Sequence, residues 1–415
     1  MRVSFADKIV FALLLSWMLV ILIFKFGQFN KVVLNQFFLI FMAFALALIV
    51  ASVNHIPYKV SLLGFWQIWR AHIAIIVGFV LMIYGKKMPT WPILAVLQFN
   101  MIFSLMQPML GEGLMTILYP AGYMEYRSGI LRSVGIFGNP NSNALFLALY
   151  LLFLWNQLLK NAGHKSTKYI LLFSIVALFT TGSRTSILVM PILMTYMAWS
   201  IKKNGIKKRR NLKISLSTSL IGLILVAGIG TFLVSQEKNS TSMGYTLIPD
   251  IAIISNTDNL SEGYFRVVAS IKALGHFVEH PIIGLGYGTY GTPASFSWPS
   301  PYLEKDDLLI PEDSRGFKLS QLDVLIPVIL AESGSLGIIL WILGLWKILR
   351  SPGLTSLENS SLFKAWIMML LISTISGAGI THPVVVVFLP FVMNWLLGQN
   401  SAAKGGKSAA INGLA

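Results

Sequence analysis

The sequence predicts an all-α polytopic membrane protein, and three observations lead to that fold class. Of its 415 residues, 55% are hydrophobic and 12% are charged, whereas a soluble domain has about 25% charged residues. The mean hydropathy is +0.72. Apolar runs of about 20 residues, long enough to cross a bilayer as a helix, recur along the chain. Lipid must therefore cover apolar surface that one soluble core could not bury.

Eleven apolar runs are predicted to be membrane helices. They cover residues 8–26, 34–53, 60–84, 90–110, 141–159, 169–181, 185–202, 213–234, 325–349, 362–379 and 383–398. The first run lacks a small-residue cleavage site, so we interpret it as a membrane helix rather than a signal peptide. Eleven helices and an inside C-terminus place the N-terminus outside. A twelfth helix would place it inside, and residues 58–70 are the candidate for a short or re-entrant segment.

The distribution of charge predicts the orientation. Residues 235–325 hold eleven of the sixteen acidic residues but only six of the thirty-two Lys and Arg. Lys and Arg elsewhere lie in short connections, such as the acid-free run from Lys202 to Lys213, and such loops mark the cytoplasmic side. The segment 235–325 is therefore predicted to face outward. The net charge of +16 is explained by topology, so no nucleic-acid partner is expected.

These predictions divide the chain into four parts. Residues 1–234 carry about eight membrane helices, 235–325 form a large outward loop, 326–398 carry about three helices, and 399–415 are predicted to be a disordered cytoplasmic tail. Inside the loop, apolar residues from Val267 to Val278 recur at helical spacing. Ser261 is a plausible N-cap and Pro281 a stop. We expect an amphipathic helix of about 18 residues over the membrane face.

The segment from Arg132 to Asn141 is a candidate anion site. Asn139, Pro140 and Asn141 make a turn, and Asn141 or Ser142 can cap the following helix. Free N–H groups at a helix N-terminus attract anions, and Arg132 and Arg127 could add charge. The alternative is an ordinary turn with solvated arginines.

The segment Thr180-Thr-Gly-Ser-Arg184-Thr185 separates two apolar runs with almost no connection. Arg184 therefore lies at or just below the membrane surface. A charge deep in the bilayer costs about 2.5–3.5 kcal/mol, and such residues usually have a partner or a task. Either Arg184 is an arginine that extends to the interface, or it binds phosphate in a water-filled cavity.

The large loop carries a third candidate segment. Tyr264 and Arg266 precede a glycine-dense stretch with Gly284, Gly286 and Gly288. Glycine lets the backbone approach a ligand or another helix closely. The stretch is not a phosphate-binding Walker loop, because no Gly-Lys-Ser/Thr follows.

Three residues are candidate general bases. Asp323 and Glu332 flank the start of the helix predicted at 325–349, and His382 lies in a short outward turn. Glu332 is alternatively a structural partner for an intramembrane arginine, and His382 a hydrogen-bonded interface residue. The chain has no cysteine, and we expect neither a metal nor a cofactor.

Taken together, these segments resemble the O-antigen ligase and O-antigen polymerase superfamily of membrane glycosyltransferases. The resemblance runs from about Arg132 to Gly337 and rests on the order of the four segments. It implies a GT-C-like bundle of about 11–12 transmembrane helices with a large periplasmic loop. It also implies an inverting, metal-independent enzyme that uses a polyprenyl-diphosphate-linked oligosaccharide. By resemblance, Arg184 and Arg266 bind the diphosphate and Arg132 supports them.

One departure favours a polymerase over a ligase. Ligases of this superfamily typically carry a histidine where this chain has Asp323. The polymerase joins lipid-linked repeat units, which serve as donor and acceptor, on the periplasmic side of the inner membrane. A protein that regulates chain length is a further candidate partner. The first alternative is a ligase that acts on lipid A–core. A lipid-linked oligosaccharide transporter is less favoured, because no second copy of the break at Gly182 is visible.

Overall fold

The computed structural model describes residues 31–84, 88–118, 126–127, 130–160, 166–203, 262–296, 302, 306, 325–350, 359–374 and 379–397. The α-helices in these ranges are α1 Lys31–Val53, α2 Tyr58–Tyr84, α3 Thr90–Leu118, α4 Pro140–Leu159, α5 Ser166–Thr180, α6 Arg184–Lys203, α7 Glu262–Glu279, α8 Leu325–Leu349, α9 Ser360–Ser373 and α10 Pro383–Leu397. The described strands are one antiparallel pair, β1 Tyr126–Arg127 and β2 Ile130–Leu131.

The predicted fold class, an all-α polytopic membrane protein, is confirmed. Five helices, α1, α2, α3, α4 and α8, are long and apolar enough to cross a membrane, and α5, α9 and α10 are shorter apolar helices. The helices predicted at 8–26 and 213–234 lie outside the described residues, as do the tail and much of the large loop. The total of 11–12 helices and the GT-C-like arrangement stay predictions.

The chain forms two compact units. The first comprises residues 1–88, 256–357 and 374–415, and the second comprises 89–255 and 358–373. In the first unit, α2 packs along α10 and α1, while α8 packs against α7 and α1. In the second unit, α4 contacts α3, α5, α6 and α9. Because α4 is surrounded in this way, most of its side chains are buried.

The suggestion of a re-entrant segment at 58–70 is wrong. These residues belong to one continuous helix, α2. Its polar and aromatic residues made the stretch look interrupted, but Ser61, Trp69 and His72 are fully buried inside the first unit. A helix that is buried in protein rather than lipid can carry polar side chains that have partners.

Two of the membrane-length helices are broken at a glycine. Helix α3 has non-helical backbone at Gly111, with φ 65°, one residue after the predicted end of that helix. Helix α8 has non-helical backbone at Gly334, with φ 61°. Positive φ is strained for residues with a side chain and open to glycine. The α8 break contributes to the site described below.

Helix α7 matches the predicted amphipathic helix in position and length, 18 residues from Glu262 to Glu279. Its packing face differs from the expected apolar stripe. Ala269 and Ala273 are buried in a cluster with Val328 and Ala331 of α8. Larger residues of the stripe, among them Ile271, Leu274 and Val278, are 49%, 43% and 75% exposed. Small side chains let the two helix backbones approach closely, which leaves the large apolar residues on the outer face.

Candidate functional site

The turn between α5 and α6 places Arg184 at a helix N-terminus, as predicted. Helix α5 ends at Thr180, Gly182 takes φ 61°, and α6 begins at Arg184. The Thr181 hydroxyl accepts a hydrogen bond from the Ser183 amide at 3.2 Å. The Arg184 side chain is half-buried. Its guanidinium makes no hydrogen bond or ion pair to any residue that the structure describes, so its donors are available to a ligand.

Arg132 is engaged within the second unit. It is 5% exposed, so the alternative of a solvated arginine is wrong for this residue. Its Nε donates to the Thr181 carbonyl at 2.7 Å and its Nη2 donates to Asn141 Oδ1 at 3.1 Å. The Ser133 amide also donates to the Thr180 carbonyl, at 2.9 Å. Arg132 therefore joins the turn before α4 to the turn that carries Arg184.

The helix cap of α4 lies earlier than predicted. Asn139, not Asn141 or Ser142, is the N-cap, and its side chain accepts hydrogen bonds from the amides of Asn141 and Ser142. Pro140 occupies the first helical position, where its missing N–H costs nothing. Asn141 is thereby free to accept the hydrogen bond from Arg132.

A buried polar network holds the backbone between Arg132 and the α4 cap. Gln107 Oε1 accepts from the Ser133 hydroxyl at 2.8 Å and from the amides of Val134 and Gly135 at 2.9 Å each. Asn100 Oδ1 accepts from the Ile136 amide at 3.0 Å, and Asn143 donates to the Ser133 carbonyl. Non-helical backbone inside a membrane protein needs such partners. This network was not predicted from the sequence, although polar residues at 100, 104 and 107 recur on one face of an apolar helix.

The glycine-rich loop of the first unit packs into the break of α8. The amides of Leu285 and Gly286 donate to the carbonyls of Ala331 and Glu332, both at 2.8 Å. The amides of Ser335 and Leu336 donate to carbonyls of residues 281 and 282, at 2.8 and 3.1 Å. The loop therefore satisfies the backbone groups that the break releases from the helix ladder.

Close packing explains two of the glycines in this loop. A Cβ on Gly284, where φ is 69°, would lie 2.6 Å from the Glu332 carbonyl carbon and the Gly334 amide nitrogen. A Cβ on Gly286 would lie 2.3 Å from Ile56. These glycines were predicted to let the backbone approach another element closely. In the first unit, the close neighbour is α8 for Gly284 and Ile56 for Gly286.

Glu332 is fully buried, and its carboxylate accepts hydrogen bonds from the loop. Its Oε2 accepts from the Gly288 amide at 2.8 Å. Its Oε1 accepts from the Tyr290 amide at 2.8 Å, from the Thr292 hydroxyl at 3.1 Å and from the Thr292 amide at 3.4 Å. The described partners of this carboxylate are loop donors, in place of the arginine that the sequence analysis suggested.

A second polar cluster connects α7 to the loop through Asp306. Asp306 accepts hydrogen bonds from the Tyr290 hydroxyl at 2.7 Å and pairs with His276 Nε2 at 3.0 Å. Lys272 donates to the Asp306 carbonyl. Burial, and then the hydrogen bond and charge of Asp306, raise the pKa of Tyr290. The phenol therefore stays protonated and acts as a donor to Asp306.

His382 follows a short 3-10 helix, Gly379–Thr381, and precedes α10. Burial, and then the positive charge of Arg70, lower the pKa of His382 from 6.5 to about 3. At that pKa the imidazole loses the near-neutral basicity that makes histidine a common general base. The lowered pKa favours the interpretation of His382 as a hydrogen-bonded interface residue over its interpretation as a general base.

Four predicted site residues have side chains outside the described part of the chain. Asp323 precedes α8 and is itself not described. Tyr264 and Arg266 lie in the first two turns of α7, and Arg127 lies in β1. Their predicted roles stay predictions.

The chain matches a known protein family over its central part. Residues 169–342 match the Wzy_C family, described as O-antigen ligase. The matched range includes the Arg184 turn, α7, the glycine-rich loop and the break in α8. A comparison with curated proteins finds no match. The match covers less than half of the chain; it supports membership of the O-antigen ligase/polymerase superfamily and a membrane enzyme of the ligase or polymerase type.

Proposed function

We propose that the protein polymerises polyprenyl-diphosphate-linked oligosaccharide repeat units into a surface polysaccharide. An acceptor sugar hydroxyl attacks the anomeric carbon of the donor glycan. The new glycosidic C–O bond forms as the bond to the diphosphate breaks, with inversion at that carbon. The hydroxyl proton passes to a general base, and polyprenyl diphosphate leaves. The reaction takes place at the outward face of the inner membrane.

The observation that carries this proposal is the environment of Arg184. Its guanidinium is half-buried at the N-terminus of α6 and has no partner among the described residues. The N-terminal amides of a helix favour anions. Arginine keeps its charge and can bind phosphate oxygens with two donors at once. A leaving diphosphate carries the charge that such a site stabilises.

Arg266 is the second proposed ligand of the diphosphate, because it lies on α7 within the family match. Arg132 takes a supporting role in this proposal. Its described hydrogen bonds hold the Thr181 carbonyl and Asn141, so it steadies the turn that carries Arg184 rather than binding phosphate.

Asp323 is the proposed general base and the reason for preferring a polymerase. It lies two residues before α8, at the position where ligases of the superfamily typically carry a histidine. Glu332 already accepts four hydrogen bonds from the loop, and His382 is a weak base. The alternative function is that of a ligase.

The function is tested with purified protein and arginine variants. R184A should abolish polymer formation, and R184K should retain a small part of it, since lysine binds phosphate with one point charge. Arg350 supplies a matched control, because it stacks on Trp346 at 3.9 Å at the end of α8. R350A should keep wild-type polymerisation. Normal polymer from R184A would remove Arg184 from the diphosphate site.

A further inference from the structure

We infer that Glu332 is a positioning residue, whose buried carboxylate anchors the glycine-rich loop in the break of α8 and so fixes α7 against α8. The anchor goes beyond the proposed function, because it assigns a task to a carboxylate that the proposed reaction does not use. It rests on the proposed function only through Arg266, the α7 residue that is proposed to bind the diphosphate.

Four hydrogen-bond donors converge on the one Glu332 carboxylate. The amides of Gly288, Tyr290 and Thr292 and the Thr292 hydroxyl all point at it. A carboxylate accepts on both oxygens and is a stronger acceptor than a neutral amide. A fully buried charge persists only where such partners compensate its lost hydration. The loop and the carboxylate therefore hold each other in place.

The anchored loop is connected directly to α7 along the chain. Helix α7 ends at Glu279, and the loop that enters the α8 break begins at residue 281. No flexible linker separates them. The Gly284 amide still donates to the His280 carbonyl at 3.1 Å. A shift of the anchored loop is therefore transmitted to α7.

The described α7 side chains that pack against α8 are small. Ala269 and Ala273 supply the described α7 side chains of the shared cluster, and alanine side chains bury little apolar surface. The larger residues Ile271, Leu274 and Val278 are exposed. The loop anchor therefore adds to a helix contact whose described α7 side chains in the shared cluster are alanines.

The structural test uses the absence of cysteine from the chain. Two introduced cysteines carry spin labels at exposed positions, Leu274 on α7 and Ile339 on α8, which are 43% and 50% exposed. In the wild-type background we expect one narrow distance distribution by double electron–electron resonance. E332Q should broaden or shift it, because the amide turns an NH₂ group toward loop donors. E332D, which keeps the charge, should restore part of the narrow distribution.

Two controls separate release of the loop from general unfolding. A second label pair at Ile49 and Ile339, which reports on α1 and α8, should be unchanged in E332Q. E279Q makes the same chemical change at a carboxylate that is 57% exposed, and it should leave the Leu274–Ile339 distances unchanged. An unchanged Leu274–Ile339 distribution in E332Q overturns the anchor.

The kinetic test asks whether Glu332 acts through Arg266. A misplacement of about 1 Å can cost about 100-fold in rate, so E332Q should lower kcat/KM for the lipid-linked donor by about that factor. R266K should lower it as well, and the R266K/E332Q double variant should lose no more than the worse single variant. Additive losses would contradict action through Arg266. Wild-type turnover in an E332Q protein whose α7 has moved would instead contradict the proposed diphosphate site and leave the anchor standing.

Discussion

The amide of Gln107 is predicted to be one of the most important single groups for the stability of the second unit. The perturbation is Q107M, which replaces the side chain by an apolar one of similar length. It removes the acceptor of three buried donors, the Ser133 hydroxyl and the amides of Val134 and Gly135. A buried donor left without a partner costs about 1–3 kcal/mol. At the low end of that range the three together cost about 3 kcal/mol.

The assay is thermal unfolding of the purified protein in detergent. For a unit of about 180 residues, 1 kcal/mol corresponds to roughly 2–4 °C in Tm, so Q107M should lower the Tm by about 6–12 °C. Met106 is the adjacent residue and is 43% exposed, and M106L should shift the Tm by less than about 2 °C. A Q107M protein that unfolds at the wild-type temperature would refute the view that this side chain holds the segment after Arg132.

Three further predictions follow from the described geometry. G284A should lower both the Tm and the turnover, because its Cβ would lie 2.6 Å from backbone atoms of α8 at a φ of 69°. The control is G275A on α7, whose Cβ would meet nothing within 4 Å, and it should leave the Tm unchanged or raise it slightly. R132K should reduce turnover more than it reduces stability, since lysine cannot reach Thr181 and Asn141 together; equal turnover in R132K and wild type would contradict its supporting role. Folding lowers the pKa of His382 from 6.5 to about 3, so the neutral imidazole favours the folded state above pH 6.5 and this contribution is lost as the pH falls toward 3. The Tm advantage of wild type over H382Q should therefore shrink between pH 7 and pH 5. A Tm difference that stays constant over this range would argue against a buried environment for His382.

Helix positions could be predicted from the sequence because they depend on local signals. The predicted span at 325–349 matches α8 Leu325–Leu349, and the amphipathic helix between Ser261 and Pro281 matches α7. In both cases an apolar pattern and a proline or polar boundary lie within the same stretch of chain. Such signals require no knowledge of what the helix packs against.

The role of Glu332 could not be predicted from the sequence. Three of its four partners are backbone amides about 40 residues earlier in the chain, and a backbone amide carries no residue identity. The same reason hides the break at Gly334, which is stable because a distant loop pairs with the released backbone groups. An arginine partner was one alternative suggested by charge alone, whereas the described partners of Glu332 are donors of the loop.

The segment at 58–70 shows the opposite error. The stretch was predicted as a short or re-entrant segment, whereas Gly64 and Trp69 are contact residues inside the continuous helix α2. A Cβ on Gly64 would lie 2.2 Å from the Gly288 amide nitrogen, and Trp69 Nε1 donates to the Tyr287 hydroxyl at 3.2 Å. Residues chosen for contact with a partner element weaken the apolar signal by which membrane helices are recognised.

The proposed activity of this chain is the polymerisation of lipid-linked repeat units. Its most direct test is to incubate the purified protein with its polyprenyl-diphosphate-linked repeat unit alone and to separate the products by length. The polymerase proposal predicts a ladder of longer lipid-linked chains that is absent with R184A. Product that forms only after lipid A–core is added would contradict the polymerase and establish the ligase.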